Sequence, residues 1–415
     1  MYDEYINAPS MELGRDFPRE EYELRLKKAR ELMLLRGLDA LIVCSSTNGA
    51  YFTSRDQPRK WHDRVQTRAA FFILTMDNDY LYLTPTHGGE NQNTARKRTW
   101  VTNLGSVVER HEDKDRVEQW GVEWMVKAFR ELKLDKARLG WELGDCQTLG
   151  ISYNDLNEFK RLMPEAEFLD GSYVLRRLHQ FPTPFQLDVI RKACYAGVKM
   201  HDQVVEIARA GMTEREFAES MRRRFEELNF GDGYSFAGGY DDVRNPRYPE
   251  LNLMFKGQVT NRPFMEGDVF CKGSSGVSYL GQGADIDRIW YIGGEPPAIV
   301  KKWYSVTYMC VEAMAAALKP RTTCAEVFAV RNKVAKENGL PEQLVGRNGH
   351  WSDLSGLSIH PECNIVLEPG MVISCEPTFV SDYGYFDIED IFLVTEDGCE
   401  RLHKRAPPEI PCCRP

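Results

Sequence analysis

The chain has 415 residues, with 53 Lys and Arg against 62 Asp and Glu and a net charge of -9 at pH 7. That length exceeds what one core usually organises and implies more than one domain, while the acidic balance argues against nucleic acid as a partner, because phosphate binding needs a basic face. No apolar run approaches the roughly 18 residues of a membrane span, and the N-terminal residues lack the basic-then-apolar order of a secretory signal, so no membrane partner and a cytoplasmic location are expected.

Residues 19–36 carry helical periodicity, with Pro18 suited to the start and Gly37 to the end. Leu41 to Cys44, Ala70 to Leu74 and Tyr80 to Leu83 read as strands, the last two joined by a hairpin turn at Asp77-Asn78-Asp79. A helix over 121–132 and a strand over 138–141 continue the alternation, so residues 1–177 read as a small α/β domain. Pro182 and Pro184 then break the pattern. A long amphipathic helix is expected from Phe185 to Ala210, closed by Gly211. Thr213 with Glu216 forms a capping box that opens another, on which Arg222 to Arg224 read as a solvated face. Asp268 to Cys271 and Asp285 to Ile292 read as strands, and 298–318 and 322–338 as helices. The remainder beyond 350 reads as strands, with turns at Glu368-Pro369-Gly370 and Glu396-Asp397-Gly398. Residues 178–415 therefore form a second domain in which helices cover a strongly bent antiparallel sheet, and the fold class of the chain is α+β.

The 11 cysteines are an odd number without CxxC or Cys/His spacing and read as reduced thiols. Cys412 and Cys413 read as tail residues.

Three acidic clusters fall on the predicted strands of the second half. Asp285 and Asp287 are two apart, so on a strand they share a face. Glu376 follows the apolar Ile373-Ser374-Cys375, and Glu389 interrupts a strand whose alternation runs to Val394. His350 stands in Gly346-Arg347-Asn348-Gly349-His350-Trp351. A carboxylate inside an apolar strand is costly to bury unless it is paired, hydrogen-bonded or bound to a cation. Either these groups are edge charges facing water, or three carboxylates and one imidazole converge on a site suited to Mn, Fe, Co or Zn.

The motifs Gly267-Asp268-Val269, Ala284-Asp285-Ile286-Asp287-Arg288, Gly349-His350, Leu367-Glu368-Pro369-Gly370-Met371-Val372, Cys375-Glu376-Pro377 and Ile388-Glu389-Asp390 stand in one order. Together with Arg176 to Ala193 and the segments Ser45 to Leu83 and Gly88-Gly89, they make the chain resemble the pita-bread family of creatinase, prolidase and aminopeptidase P. The resemblance implies a creatinase-type N-terminal domain, a pita-bread catalytic domain, and a homodimer in which one subunit's N-terminal domain closes the other's site. It implies Asp285, His350, Glu376 and Glu389 as metal ligands. The family's metalloenzymes use a further Asp about eleven residues before Asp285. Here Lys272-Gly273-Ser274-Ser275-Gly276 stands instead, so one tightly bound divalent metal is expected rather than two. A metal-free site, as in creatinase, is the alternative. Lys256 stands where creatinase and prolidases carry a histidine. His360 matches a second family histidine that steadies substrate, with a structural histidine as the alternative.

These departures favour a hydrolase of a C–N bond in a small polar molecule, in the manner of creatinase or ectoine hydrolase. Glu376, His350, Asp287 and His360 are its candidate catalytic groups. Glu376 or Asp287 would take the proton from water. Arg64, Arg68 and Lys256 are the candidate substrate-binding residues, since a guanidinium suits a bidentate contact with a carboxylate. The alternatives are a metal-dependent Xaa-Pro aminopeptidase or prolidase and a dimethylsulfoniopropionate-lyase-like enzyme. A binding module without activity is the remaining class.

Overall fold

The computed structural model describes residues 17–53, 71–83, 99–106, 122–145, 147–236, 243–244, 261–272, 276–344, 346–351 and 358–415. The chain divides into two compact units, Met1–His179 and Gln180–Pro415.

In the first unit, α1 (Arg19–Arg36) starts after Pro18 and stops at Gly37, whose left-handed φ of 61° lets its N–H reach back to Leu34 O. There follow β1 (Ala40–Val43), α2 (Ser46–Thr53), β2 (Phe71–Thr75), β3 (Asp79–Leu83), β4 (Asn103–Ser106) and α3 (Val122–Glu131). The unit ends with β5 (Arg138–Trp141), α4 (Tyr153–Leu162), β6 (Glu167–Asp170) and α5 (Ser172–Gln180). The strands make one mixed sheet in the order β4-β3-β2-β1-β5-β6. β1 and β2, at its centre, are almost wholly buried, as their apolar runs require. Phe71, Phe129, Trp141 and Phe159 pack edge and face beside them. Glu142 is buried as well. Its carboxylate accepts from the N–H groups of Cys44 and Ser45, the Ser45 hydroxyl and the Asn48 amide, which is how the charge is tolerated.

The second unit opens with α6 (Pro184–Asp202), started by a capping box of Thr183 and Gln186. The single helix expected to Ala210 instead breaks at Gln203, whose N–H bonds Met200 O three residues back, and resumes as α7 (Val204–Ile207). The Thr213–Glu216 capping box opens α8 (Glu214–Leu228), as its sequence dictates. Then come β7 (Tyr234–Phe236), β8 (Val243–Arg244), β9 (Val269–Lys272), β10 (Val277–Tyr279), β11 (Gln282–Gly283) and β12 (Arg288–Ile292). The helices α9 (Ala298–Ala317) and α10 (Cys324–Glu337) precede β13 (Gly349–Trp351), β14 (Val372–Cys375), β15 (Thr378–Ser381) and β16 (Gly384–Asp387). The last elements are β17 (Asp390–Val394), β18 (Cys399–Arg401) and β19 (Cys412–Cys413).

These strands form short sheets rather than one: β11-β10-β7, β19-β12-β9-β8, β13-β14-β17-β18, and the hairpin β15-β16. Cys412 and Cys413 are therefore not a tail. They pair in parallel with Tyr291 and Ile292, and Cys413 is buried. The described cysteines are all free thiols. No helix among the described residues is long and apolar enough to cross a membrane.

His201, on α6, is buried edge-on against Trp290, with ring centroids 5.3 Å apart, and neither ring nitrogen has a hydrogen-bond partner. Burial holds its pKa well below the usual histidine range, and the charges of Arg288 and Lys272 and the His403 ring push the same way. The folded chain thus keeps the ring neutral while the unfolded chain protonates it near pH ~6.5. This contribution to stability is complete above that pH and is lost as pH falls below it. His201→Phe should therefore flatten the decline in urea midpoint between about pH 7 and about pH 5. Equal slopes in the two proteins would show that His201 carries no proton linkage.

Candidate metal centre

The acidic residues do not sit inside strands, as their alternation suggested. They sit where strands begin, end or change sheet. Asp285 and Asp287 precede β12, which starts only at Arg288. Glu376 follows the last residue of β14, and Glu389 lies between β16 in the hairpin and β17 in the four-stranded sheet. Leaving the ladder frees the backbone to aim each carboxylate instead of fixing it to one face. The shared face expected for Asp285 and Asp287 is accordingly lost. The Asp285 side chain is 31% exposed, whereas the Asp287 residue is 2% exposed.

Backbone register gathers these ends. His350 lies opposite Ser374, and Cys375 opposite Asp390, so β13, β14 and β17 bring His350, Glu376 and Glu389 to one end of their sheet. The Asn348 carbonyl accepts from Glu376 N–H at 3.0 Å, and the Asp287 carbonyl accepts from Glu389 N–H at 3.2 Å. Gly349 is needed for the first approach, because a Cβ there would come within 2.2 Å of Ser374 O.

Arg288 ties the segments together from behind. Its guanidinium donates to the carbonyls of Asp287 (2.7 Å) and Glu389 (2.9 Å), and pairs with the Asp390 carboxylate at 2.8 Å. Arg401 holds the other Asp390 oxygen at 2.9 Å. Asp390 stays ionised although fully buried: burial raises its pKa, but Arg288, His403 and Arg401 outweigh that and lower it.

In front of this anchor, ligand atoms of Asp285, His350 and Glu389 lie within 4.8 Å of one another. His350 Nε2 is 3.2 Å from Asp285 Oδ2 and 3.3 Å from Glu389 Oε1. Its Nδ1 lies 2.7 Å from Trp351 O, which can only accept, so Nδ1 carries a proton. In the neutral ring the Nε2 lone pair then faces two carboxylates, an arrangement that calls for a cation between them. Burial pulls the His350 pKa down, yet the two carboxylates override it and push it up to about 11. Burial and the charges of Asp285, Glu376 and Asp287 drive Glu389 well above the usual carboxylate range. Asp285, though also desolvated, is drawn below its range by His350 and by the charge of Arg347.

A divalent ion fits this arrangement. Donor atoms around an ion at ~2.1 Å are separated by about 3.0–3.4 Å, which matches the two distances at Nε2. A carbonyl on the far ring nitrogen is the usual support for a ligating histidine. Two carboxylates and an imidazole suit Mn, Fe, Co or Zn.

The other predicted site residues lie as follows. Glu376 is outside the 4.8 Å cluster, and its Oε1 is 2.9 Å from Arg347 Nε. Asp287 is buried and acts on Glu389 through its charge. His360 is half-buried, its Nδ1 accepts from Glu362 N–H at 3.2 Å, and its ring tilts against Phe328. Arg64, Arg68 and Lys256 lie outside the described residues. Arg288, Asp390 and Arg347 carry no role in the sequence reading, because their partners lie far away in sequence.

Replacing Arg288 with Met leaves a buried carboxylate short of a partner and should cost about 3 kcal/mol. Arg288→Lys should recover part of that. Denaturant midpoints measure both, and a loss below about 1 kcal/mol for the Met variant would show that the anchor is not structural.

Residues 188–396 match Metallopeptidase family M24, and residues 25–179 match the Creatinase/Prolidase N-terminal domain. The probable dipeptidase PepE of Mycobacterium tuberculosis is 32% identical over 233 residues, which are 54% of this chain and 59% of that protein. Ectoine hydrolase of Halomonas elongata is 23% identical over 421 residues, 94% of this chain and 97% of that protein. Among solved structures, dipeptidase PepE from Mycobacterium ulcerans shares the fold with a TM-score of 0.73 at 20% identity, over 96% of this chain and all of that one. With half of its length matched by one family and its N-terminal part by a second, the chain belongs to metallopeptidase family M24 and joins a creatinase/prolidase N-terminal domain to a pita-bread C-terminal one.

Proposed function

We propose that this chain is a hydrolase that cleaves a C–N bond in a small polar substrate, using one divalent metal held by Asp285, His350 and Glu389. The observation that carries the reading is the imidazole whose Nε2 faces two carboxylates while its Nδ1 is committed to a backbone carbonyl. When bound, an ion of the Mn, Fe, Co or Zn type supplies a Lewis acid for the scissile carbonyl and acidifies water. Glu376 sits at the rim of the cluster with its side chain 15% exposed, and accepts the proton of the attacking water. Asp287, itself buried, raises the proton affinity of Glu389 and so favours a cation there. Arg288 keeps the Asp287 and Glu389 segments in register. His360 orients the substrate, and Arg64, Arg68 and Lys256 hold its carboxylate, in a cytoplasmic homodimer.

The substrate class remains within this reading. Identity to a probable dipeptidase over the matched segment supports a dipeptide, and likeness to an Xaa-Pro dipeptidase supports one of the Xaa-Pro type. Similarity to ectoine hydrolase over almost the whole chain supports a non-peptide amide or cyclic amidine. Parallel turnover of Xaa-Pro dipeptides and of ectoine by the same preparation separates the two.

Protein purified without chelator should contain about one divalent metal per chain by elemental analysis, and His350→Ala and Glu389→Ala should lose it. Glu376→Gln should keep the metal and lower turnover by about 10²–10⁴-fold. Full turnover by a preparation free of metal would overturn the metal reading in favour of acid–base chemistry alone.

A further inference from the structure

Glu389 feels three other carboxylates, Asp285, Glu376 and Asp287. His350 contacts two of the four acids, Asp285 and Glu389. Glu376 is served differently, by the guanidinium of Arg347 at 2.9 Å. Among the described residues this is the ion pair that Arg347 makes, and its charge also reaches Asp285. The pair is not a loose surface contact. Arg347 and Glu376 lie just beyond one end of the β13–β14 ladder, where Glu376 N–H donates to Asn348 O. Asn348, between Arg347 and Gly349, is fully buried, and its N–H donates to Ile359 O at 2.9 Å. The guanidinium is thus carried beside a residue whose backbone is hydrogen-bonded to both Ile359 and Glu376, with its side chain partly exposed at the rim of the metal cluster.

We infer that Arg347 is a permanent, protein-supplied cation that holds Glu376 out of the metal cluster and limits the centre to one divalent ion. This rests on the metal reading above. Guanidinium cannot release its proton in a protein, so its charge is present under all working conditions. Of the four acids, Asp285, Glu376 and Glu389 carry three negative charges, which one dication and Arg347 match, while Asp287 is buried and acts on Glu389 through its charge. A second dication would have to sit beside Arg347 in a partly desolvated site, where like charges repel strongly. Glu376 is thereby kept available to accept a proton instead of being consumed as a ligand. Arg347 acts through Glu376, which makes it a positioning residue.

The test is calorimetric titration of metal-free protein with Mn²⁺ alone, with thermal unfolding of the same proteins in chelator. Wild type should take up one Mn²⁺ per chain. Arg347→Gln should bind Mn²⁺ at least about tenfold more tightly or take up a second ion, and Arg347→Lys should stay within about threefold of wild type. Adding Glu376→Gln to Arg347→Gln should remove the gain. Unchanged or weaker Mn²⁺ binding in Arg347→Gln would overturn the inference. If wild type takes up no Mn²⁺, the metal reading itself fails, and the chelator series then decides the pair. There Arg347→Gln should unfold at a lower temperature than wild type, and Glu376→Gln should restore the midpoint if Arg347 is that carboxylate's cation. No restoration would overturn that part as well.

Discussion

Two of the segments that build the metal cluster in the second unit are joined through one buried guanidinium. Arg288 is the point where the segment carrying Asp285, the segment carrying Glu389 and the C-terminal loop at Lys404 meet. The first two segments lie at the ends of strands and the third lies between strands, so their backbone carbonyls find donors outside the ladders. A planar fork with five donors meets several at once, which an ammonium on a flexible stem would do less well. Asp390 and Arg401 then hold the fork's charge in place. The result is a set of carboxylates whose positions are fixed by a network that does not itself face the site.

Much of this architecture was legible in the sequence, for physical reasons. Gly37 and the Thr213–Glu216 box mark helix ends because their backbone and side-chain chemistry acts locally, whatever lies around them. The apolar runs of β1 and β2 announce buried strands in the same way. Asp285, His350 and Glu389 could be picked out because charge amid apolar neighbours is costly without a partner. What failed was placement. Strand alternation put Asp285 and Asp287 on one face, yet the chain leaves the ladder before both, and Glu389 sits where the backbone crosses between sheets. Such breaks are set by long-range pairing, which local pattern does not encode. The roles of Arg288 and Arg347 were hidden for the same reason: their partners lie far away in sequence, at Glu389, Asp390 and Glu376.

The two guanidinium pairs divide the electrostatic work. The one behind the cluster is sealed from water, with Arg288 and Asp390 nearly inaccessible, and it fixes geometry. The one at the rim is partly exposed, with the Arg347 side chain at 41%, and it sets how much negative charge the cluster presents to a cation. His350 belongs to neither. It is the group whose ring must choose between a proton and a metal, and the Trp351 carbonyl fixes which nitrogen makes that choice.

The pairing of Cys412 and Cys413 with Tyr291 and Ile292 has a consequence for the order in which the molecule is built. During synthesis β12 emerges early, pairs with β9 on one side, and leaves its other edge open. That edge is completed only when residues 412–413 arrive, and the Arg288 contact with Lys404 waits on the stretch before them. A ribosome-bound chain lacking those residues therefore exposes an unpaired strand edge beside unanchored carboxylates, the state in which such edges attract other chains. Completion of the site thus waits on the Cys412–Cys413 strand, which acts as its fastener.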